Sequence, residues 1–120
     1  MLADLRFETQ ALNTLATVYA RLGDFPPAID RHRQALRIAR EVGDRQLEAQ
    51  ILLDHADTDA RCGRRDEARG YVGAALAIIG QLGLRLLERK AQAVLAELDR
   101  DGPGEAPRTS APAARVPAGS

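Results

Sequence analysis

Apolar residues return every three or four positions along most of this chain, the spacing that puts them on one side of an α-helix. In the first such segment Leu12, Leu15, Ala16, Tyr19 and Leu22 form a core stripe. Gln10, Asn13, Thr17 and Arg21 lie on the neighbouring side, spaced i, i+3, i+7 and i+11. The punctuation between segments is helical too. A helix over about 5–22 ends at Gly23, a left-handed cap, and Pro26-Pro27 then open the next, where the first amides lack intrahelical acceptors anyway. That second helix runs to Val42 and closes at Gly43. Three more follow, over about 45–62, 66–82 and 84–100. Gly70, Gly73 and Gly80 sit inside the fourth, each weakening it by up to about 1 kcal/mol relative to Ala, so it is expected to be the least stable of the five.

The pattern repeats at a period of 40. Shifting the chain by that amount pairs Gln10 with Gln50, Leu12 with Leu52, Arg21 with Arg61, Gly23 with Gly63, Ala28 with Ala68, Leu36 with Leu76 and Gly43 with Gly83. Glu8/Glu48/Glu88 and Ala16/Ala56/Ala96 hold across three copies. Identities are about three times as frequent as composition gives by chance, so each 40-residue unit is a pair of helices that stacks on the next.

The stretch LNTLATVYARLGDFPPAIDRHRQAL resembles the tetratricopeptide repeats, with Leu12, Leu15, Ala16, Tyr19, Gly23, Asp24, Phe25, Ala28, Ala35 and Leu36 at that family's spacing. The second copy keeps Leu52, Ala56, Gly63, Ala68, Ala75 and Leu76. A HEAT-type repeat has a similar period but lacks the Gly-Asp-aromatic turn followed by Ala. The usual period is 34. The longer unit resembles the 40-residue subtype, and the wording of the first copy is similar to C-terminal repeats of actinobacterial transcriptional regulators. The resemblance implies an all-α right-handed array, an α-solenoid of five helices in about two and a half repeats over residues 1–101. From Gly102 a Pro/Ala/Gly-rich tail over 102–120, with no apolar periodicity, is expected to be disordered.

Composition narrows the function more than the fold. Seventeen basic residues balance 17 acidic ones and aromatics are 3 %, which gives nucleic acid neither a basic patch nor stacking platforms. Apolar runs are too short to span a membrane, and the acidic N-terminus is unlike a secretory signal. The single Cys62 cannot form an internal disulfide, which with those features points to a cytoplasmic location. Every basic residue except Lys90 is Arg, a skew expected of a GC-rich bacterial genome. No GxxxxGK[ST] loop is present, so nucleotide binding is not expected.

In the family the polar side of each first helix lines a concave groove. Carried over, the partner-binding positions are Gln10, Asn13, Thr17 and Arg21, then Gln50, Leu53, Asp57 and Arg61, then Lys90 and Glu97. Amides suit a peptide backbone and Arg21 and Arg61 suit carboxylates, so the expected function is a non-catalytic module that binds a protein or peptide partner. Two other readings stay open: a sensor of a small peptide or metabolite, and a self-assembly element.

One stripe departs from the repeat. Where the first helix has Leu15, Tyr19 and Leu22, the third has His55, Asp59 and Cys62, and His32 on the second helix takes a place usually large and apolar. Such a set can in principle bind zinc, but it lacks the spacing of a metal motif. The expectation is a half-buried hydrogen-bonded pair, with no metal and no cofactor. Catalysis is not expected either: the first serine is Ser110, and residues 55 and 62 lie about 10 Å apart along a helix. Finally, the first helix and the fifth both leave apolar stripes to cover. A homodimer through terminal helices is expected, unless the chain belongs to a longer parent.

Overall fold

The computed structural model describes the backbone of residues 2–101 and the side chains of residues 4–100; the tail expected from Gly102 lies outside the described residues. Five helices follow one another: α1 Leu2–Arg21, α2 Phe25–Val42, α3 Arg45–Arg61, α4 Arg65–Leu82 and α5 Arg85–Asp101. Among the described residues there is no strand.

The turns are the same device used four times. Gly23, Gly43, Gly63 and Gly83 stand 20 residues apart, all with φ between 67° and 86°. A side chain in that left-handed region is strained, which is why each position holds glycine. The amide after each glycine reaches back five residues: Asp24 N donates to Tyr19 O (2.9 Å), Asp44 N to Ala39 O (3.0 Å), Arg64 N to Asp59 O (2.7 Å) and Leu84 N to Ile79 O (3.2 Å). These are Schellman closures, and they reverse the chain sharply enough to make each helix antiparallel to the last. Asp44 also caps α3, its carboxylate accepting from Leu47 N at 3.1 Å.

Alanine sets the helix spacing. Ala16, Ala28, Ala35, Ala56, Ala68 and Ala75 are fully buried at equivalent points of the two repeats, letting backbones approach closely. Between them Leu47, Ile51, Leu52, Leu53, Val72 and Leu98 fill the core. α1 touches α3 and α3 touches α5, whereas α2 and α4 share no contact among the described residues. An array whose odd helices close up while its even ones splay apart curves toward the odd helices. The concave side is therefore built from α1, α3 and α5.

Two sequence expectations about the ends need correction. Leu15 and Leu22 are not core: they are 41 % and 75 % exposed, because no described residue covers that side of α1. The far end is not open in the same way. On α5 Ala91, Val94 and Leu98 are buried against the array, and the side facing away carries Leu86 at its start and then Arg89, Gln92, Ala93, Ala96, Asp99 and Arg100, all exposed. Apart from Leu86, such a side has the polar character of a capping repeat.

Candidate functional site

On the concave side α1 and α3 leave a cleft of about 410 Å³ between them. It is lined by Gln10, Asn13, Thr14, Thr17, Val18, Arg21, Gln50 and Asp54. A smaller hollow of about 40 Å³ continues it past Thr17, Arg21 and Asp54 to Asp57, Thr58 and Arg61. Seven of the ten positions expected from sequence thus line one trough: Gln10, Asn13, Thr17, Arg21, Gln50, Asp57 and Arg61.

The other three do not line it. Leu53 is fully buried in the hydrophobic core, so it offers nothing to a partner. The trough runs along α3 through Gln50, Asp54, Asp57 and Arg61, at i, i+4, i+7 and i+11, and Asp54 takes the place that copying Asn13 forward gave to Leu53. Lys90 reaches in from α5 to pair with Asp54 beneath the trough. Glu97 lines neither hollow and pairs with Arg100 at 2.6 Å.

Asn13 lines the trough but is only 4 % exposed, and its amide is spoken for on both sides. Its Nδ2 donates to Asp54 Oδ2 at 2.6 Å, and its Oδ1 lies 2.8 Å from His32 Nδ1. His32 is buried, and desolvation, with the neighbouring His55 next, lowers its pKa from 6.5 to about 4. Its ring is neutral at pH 7, so one nitrogen donates and the other accepts. Since Oδ1 can only accept, Nδ1–H is the donor. The Thr58 hydroxyl, 2.9 Å from Nε2, gives its proton to the other nitrogen. A single chain of bonds, Thr58 to His32 to Asn13 to Asp54 with Lys90 beside it, therefore ties α1, α2, α3 and α5 together under the trough. Asn13 holds the trough in shape and is not free to bind a peptide.

Of the charges on the trough, Asp54 is matched by Lys90 and Asp57 by Arg61, 3.2 Å away. Arg21 makes no ion pair among the described residues, which leaves the trough with one open positive charge. Gln10 and Gln50 make no hydrogen bond to another side chain there, and Thr17 donates at 3.1 Å to Asn13 O in its own helix.

The departing stripe of α3 is buried, not half-buried. His55 and Asp59 are both fully inaccessible, with Nδ1 and Oδ2 3.3 Å apart but without the alignment of a hydrogen bond. Arg64 Nε approaches Asp59 Oδ1 at 3.5 Å, again without alignment. The two side chains are thus in close contact without the expected hydrogen bond between them. His55 is held by stacking, with ring centroids 5.2 Å from His32 and 4.1 Å from Tyr71. Among the described residues no three His, Cys, Asp or Glu side chains stand together as a metal site. Burial, with Asp59 nearby, pushes the Cys62 thiol up, the opposite of what an activated nucleophile needs.

A family model for the tetratricopeptide repeat matches residues 7–81. No curated protein and no solved structure matches the chain significantly. No helix among the described residues is long and apolar enough to cross a membrane.

Proposed function

Because the chain belongs to the tetratricopeptide repeat family, whose members generally bind protein partners and are typically non-catalytic, we propose that its α1/α3 trough receives an extended segment of a partner protein. One observation carries the reading: the trough combines unengaged amides at Gln10 and Gln50 with a single uncompensated cation at Arg21. Amides pair with a peptide backbone, and Arg21 selects a carboxylate at one end of the segment. The Asp57–Arg61 pair is half exposed, the kind of ion pair that contributes about 0–1 kcal/mol, so Arg61 can exchange Asp57 for a ligand carboxylate at little cost. The mixed polar lining supports a peptide over an apolar metabolite. The 40-residue period and the arginine-for-lysine usage support a regulatory setting in a bacterial cytoplasm.

The experiment is a displayed library of random ten-residue peptides, selected on the whole chain and then on Arg21→Glu. Peptides carrying Asp, Glu or a free C-terminal carboxylate are expected, with Arg21→Glu weakening them at least tenfold and Gln50→Ala about threefold, helicity unchanged. Selected peptides that ignore Arg21→Glu overturn the assignment of the trough.

A further inference from the structure

In α3 and α5 one side is covered by the preceding even helix. On α3 that side holds Leu47, Ile51, His55 and Thr58, all buried, with His32 of α2 bonded to Thr58 and stacked on His55. On α1 the equivalent positions, 40 residues earlier, are Phe7, Ala11, Leu15 and Val18. Here Phe7 is 75 % exposed, Leu15 41 % and Val18 47 %, and Leu22 extends the stripe one turn further. The four large side chains span positions 7–22, about 22 Å of continuous apolar surface on one helix. Nothing among the described residues lies over it.

We propose that this side of α1 is the contact between two copies of the chain, with the two α1 helices antiparallel about a twofold axis. The choice of a second copy follows from the other end of the array. A head-to-tail stack would lay the α1 stripe on the outer side of α5, which presents one large apolar side chain, Leu86 at its start, and beyond it Arg89, Gln92, Asp99 and Arg100 with nothing apolar larger than alanine. The surface on a second copy that matches α1 is α1 itself, and a patch meeting its own copy closes as a twofold dimer.

The stripe is also nearly palindromic. Antiparallel pairing sets Phe7 against Leu22 of the second copy and Ala11 against Val18, with Leu15 close to its own counterpart at the axis. It brings Glu8 of one helix level with Arg21 of the other, Arg6 being paired with Asp44 of its own chain, and it opposes the two helix dipoles. A parallel pair puts like charge level with like.

The area fixes the strength. A 20-residue helix is about 30 Å long, and one side about 10 Å wide gives on the order of 300 Å² per copy. Stable interfaces bury about 800 Å² per partner. The dimer is therefore weak, and the interface shares Val18 with the edge of the trough while leaving Gln10, Gln50 and Arg61 outside it.

Sedimentation equilibrium on the 120-residue chain, from about 5 µM to about 1 mM, should show monomer giving way to dimer. Leu22→Glu and Phe7→Glu, at exposed positions outside the trough, should each hold it monomeric at 1 mM with unchanged helicity. Leu86→Glu on α5 should leave the equilibrium as it was. In a Cys62→Ala background, Leu15→Cys should cross-link to itself on oxidation. Phe7→Cys should cross-link to Leu22→Cys in a mixture and not to itself. A monomer at every concentration, a dimer indifferent to Leu22→Glu, or self-cross-linking of Phe7→Cys would each overturn the proposal.

Discussion

Helices α1 and α3 occupy the same place in successive repeats, yet their burial is inverted. At the positions one side of the helix shares, α1 has Leu15, Val18 and Leu22, all exposed, while α3 has His55 and Thr58 buried and Cys62 partly so. Burial here is decided by the neighbour. α2 lies over this side of α3, and nothing described lies over the equivalent side of α1. The apolar set is exposed because no described residue lies over it, and the polar set survives burial because α2, α4 and the turn before α4 bring polar and aromatic partners to it. His32 receives Thr58, Tyr71 stacks on His55, and Arg64 stands near Asp59. A repeat position carries a fold and not a fixed environment.

The sharpest way to break this contrast is to make α3 resemble α1. His55→Leu leaves the Asp59 carboxylate buried with only Arg64 close by, and removing one member of a buried pair costs about 3–5 kcal/mol. His55→Leu together with Asp59→Leu removes both polar groups and should recover most of that loss, since buried pairs replaced by apolar groups are often neutral or better. Urea unfolding of the two variants decides it. A double variant no more stable than the single one would show that the pair is integral to the packing.

Next in size is the pH dependence of the buried ring. His32 has a folded pKa of about 4 against 6.5 when unfolded, so the unfolded chain binds the extra proton between those values. Its contribution is complete above pH 6.5 and is lost as pH falls toward 4, amounting to about 3 kcal/mol. The groups facing it from the other helices are His55, Asp54, Asp59 and Lys90. The two carboxylates resist the shift, while His55 and Lys90 reinforce it. His32→Val, which copies Val72 of the second repeat, should flatten the slope of stability against pH over that window. An unchanged slope would assign the acid sensitivity to the carboxylates.

The sequence made the solenoid legible because its signals are local and repeated: a glycine every 20 residues, alanines at close approaches, and a period that survives substitution. The trough was legible in large part. Gln10, Thr17, Arg21, Gln50, Asp57 and Arg61 follow from helical spacing once one side is known to be concave. What it concealed depends on neighbours distant in the chain. Leu53 was placed in the trough by copying Asn13 forward 40 residues, but Asn13 is tolerated there only because His32 and Asp54 engage it, and the second repeat has Val72 and Val94 at the corresponding places. Asp54 was missed for the same reason, although its i+4 step from Gln50 was visible.

The pair Asn13 and Leu53 therefore offers a medium-sized test. Asn13→Ala takes away the acceptor of His32 Nδ1–H and one donor to Asp54, and should cost about 2 kcal/mol, the range for stranding a buried polar group. Arg21→Ala, on the same helix but exposed and unpaired among the described residues, should change stability by less than about 0.5 kcal/mol. Thermal melts of both separate the residue that shapes the trough from the one available to a ligand. Equal costs would mean that Asn13 is not the linchpin of the network.

The smallest effect concerns the two even helices. α2 has no glycine within it, whereas α4 has Gly70, Gly73 and Gly80. A Cβ built at any of the three meets nothing within 4 Å, so no packing requirement keeps them as glycine. The first repeat has Arg33 where the second has Gly73 and Arg40 where it has Gly80, which confirms that a side chain fits the equivalent places. Gly73→Ala should stabilise the chain by about 0.5–1 kcal/mol, mainly by reducing the freedom of the unfolded backbone. Gly80 borders a hollow of about 280 Å³ between α4 and α5, lined also by Leu76, Ile79 and Leu84. A methyl there meets no neighbour either, so Gly80→Ala should give an increment of similar size. Native-state hydrogen exchange reads the consequence directly. In the parent chain the amides of α4 should open at lower free energy than those of α2, and the double variant should close the gap. If α4 is already protected as well as α2, packing against α3 outweighs its poor helix propensity, and the substitutions will raise global stability without changing the order in which the helices open.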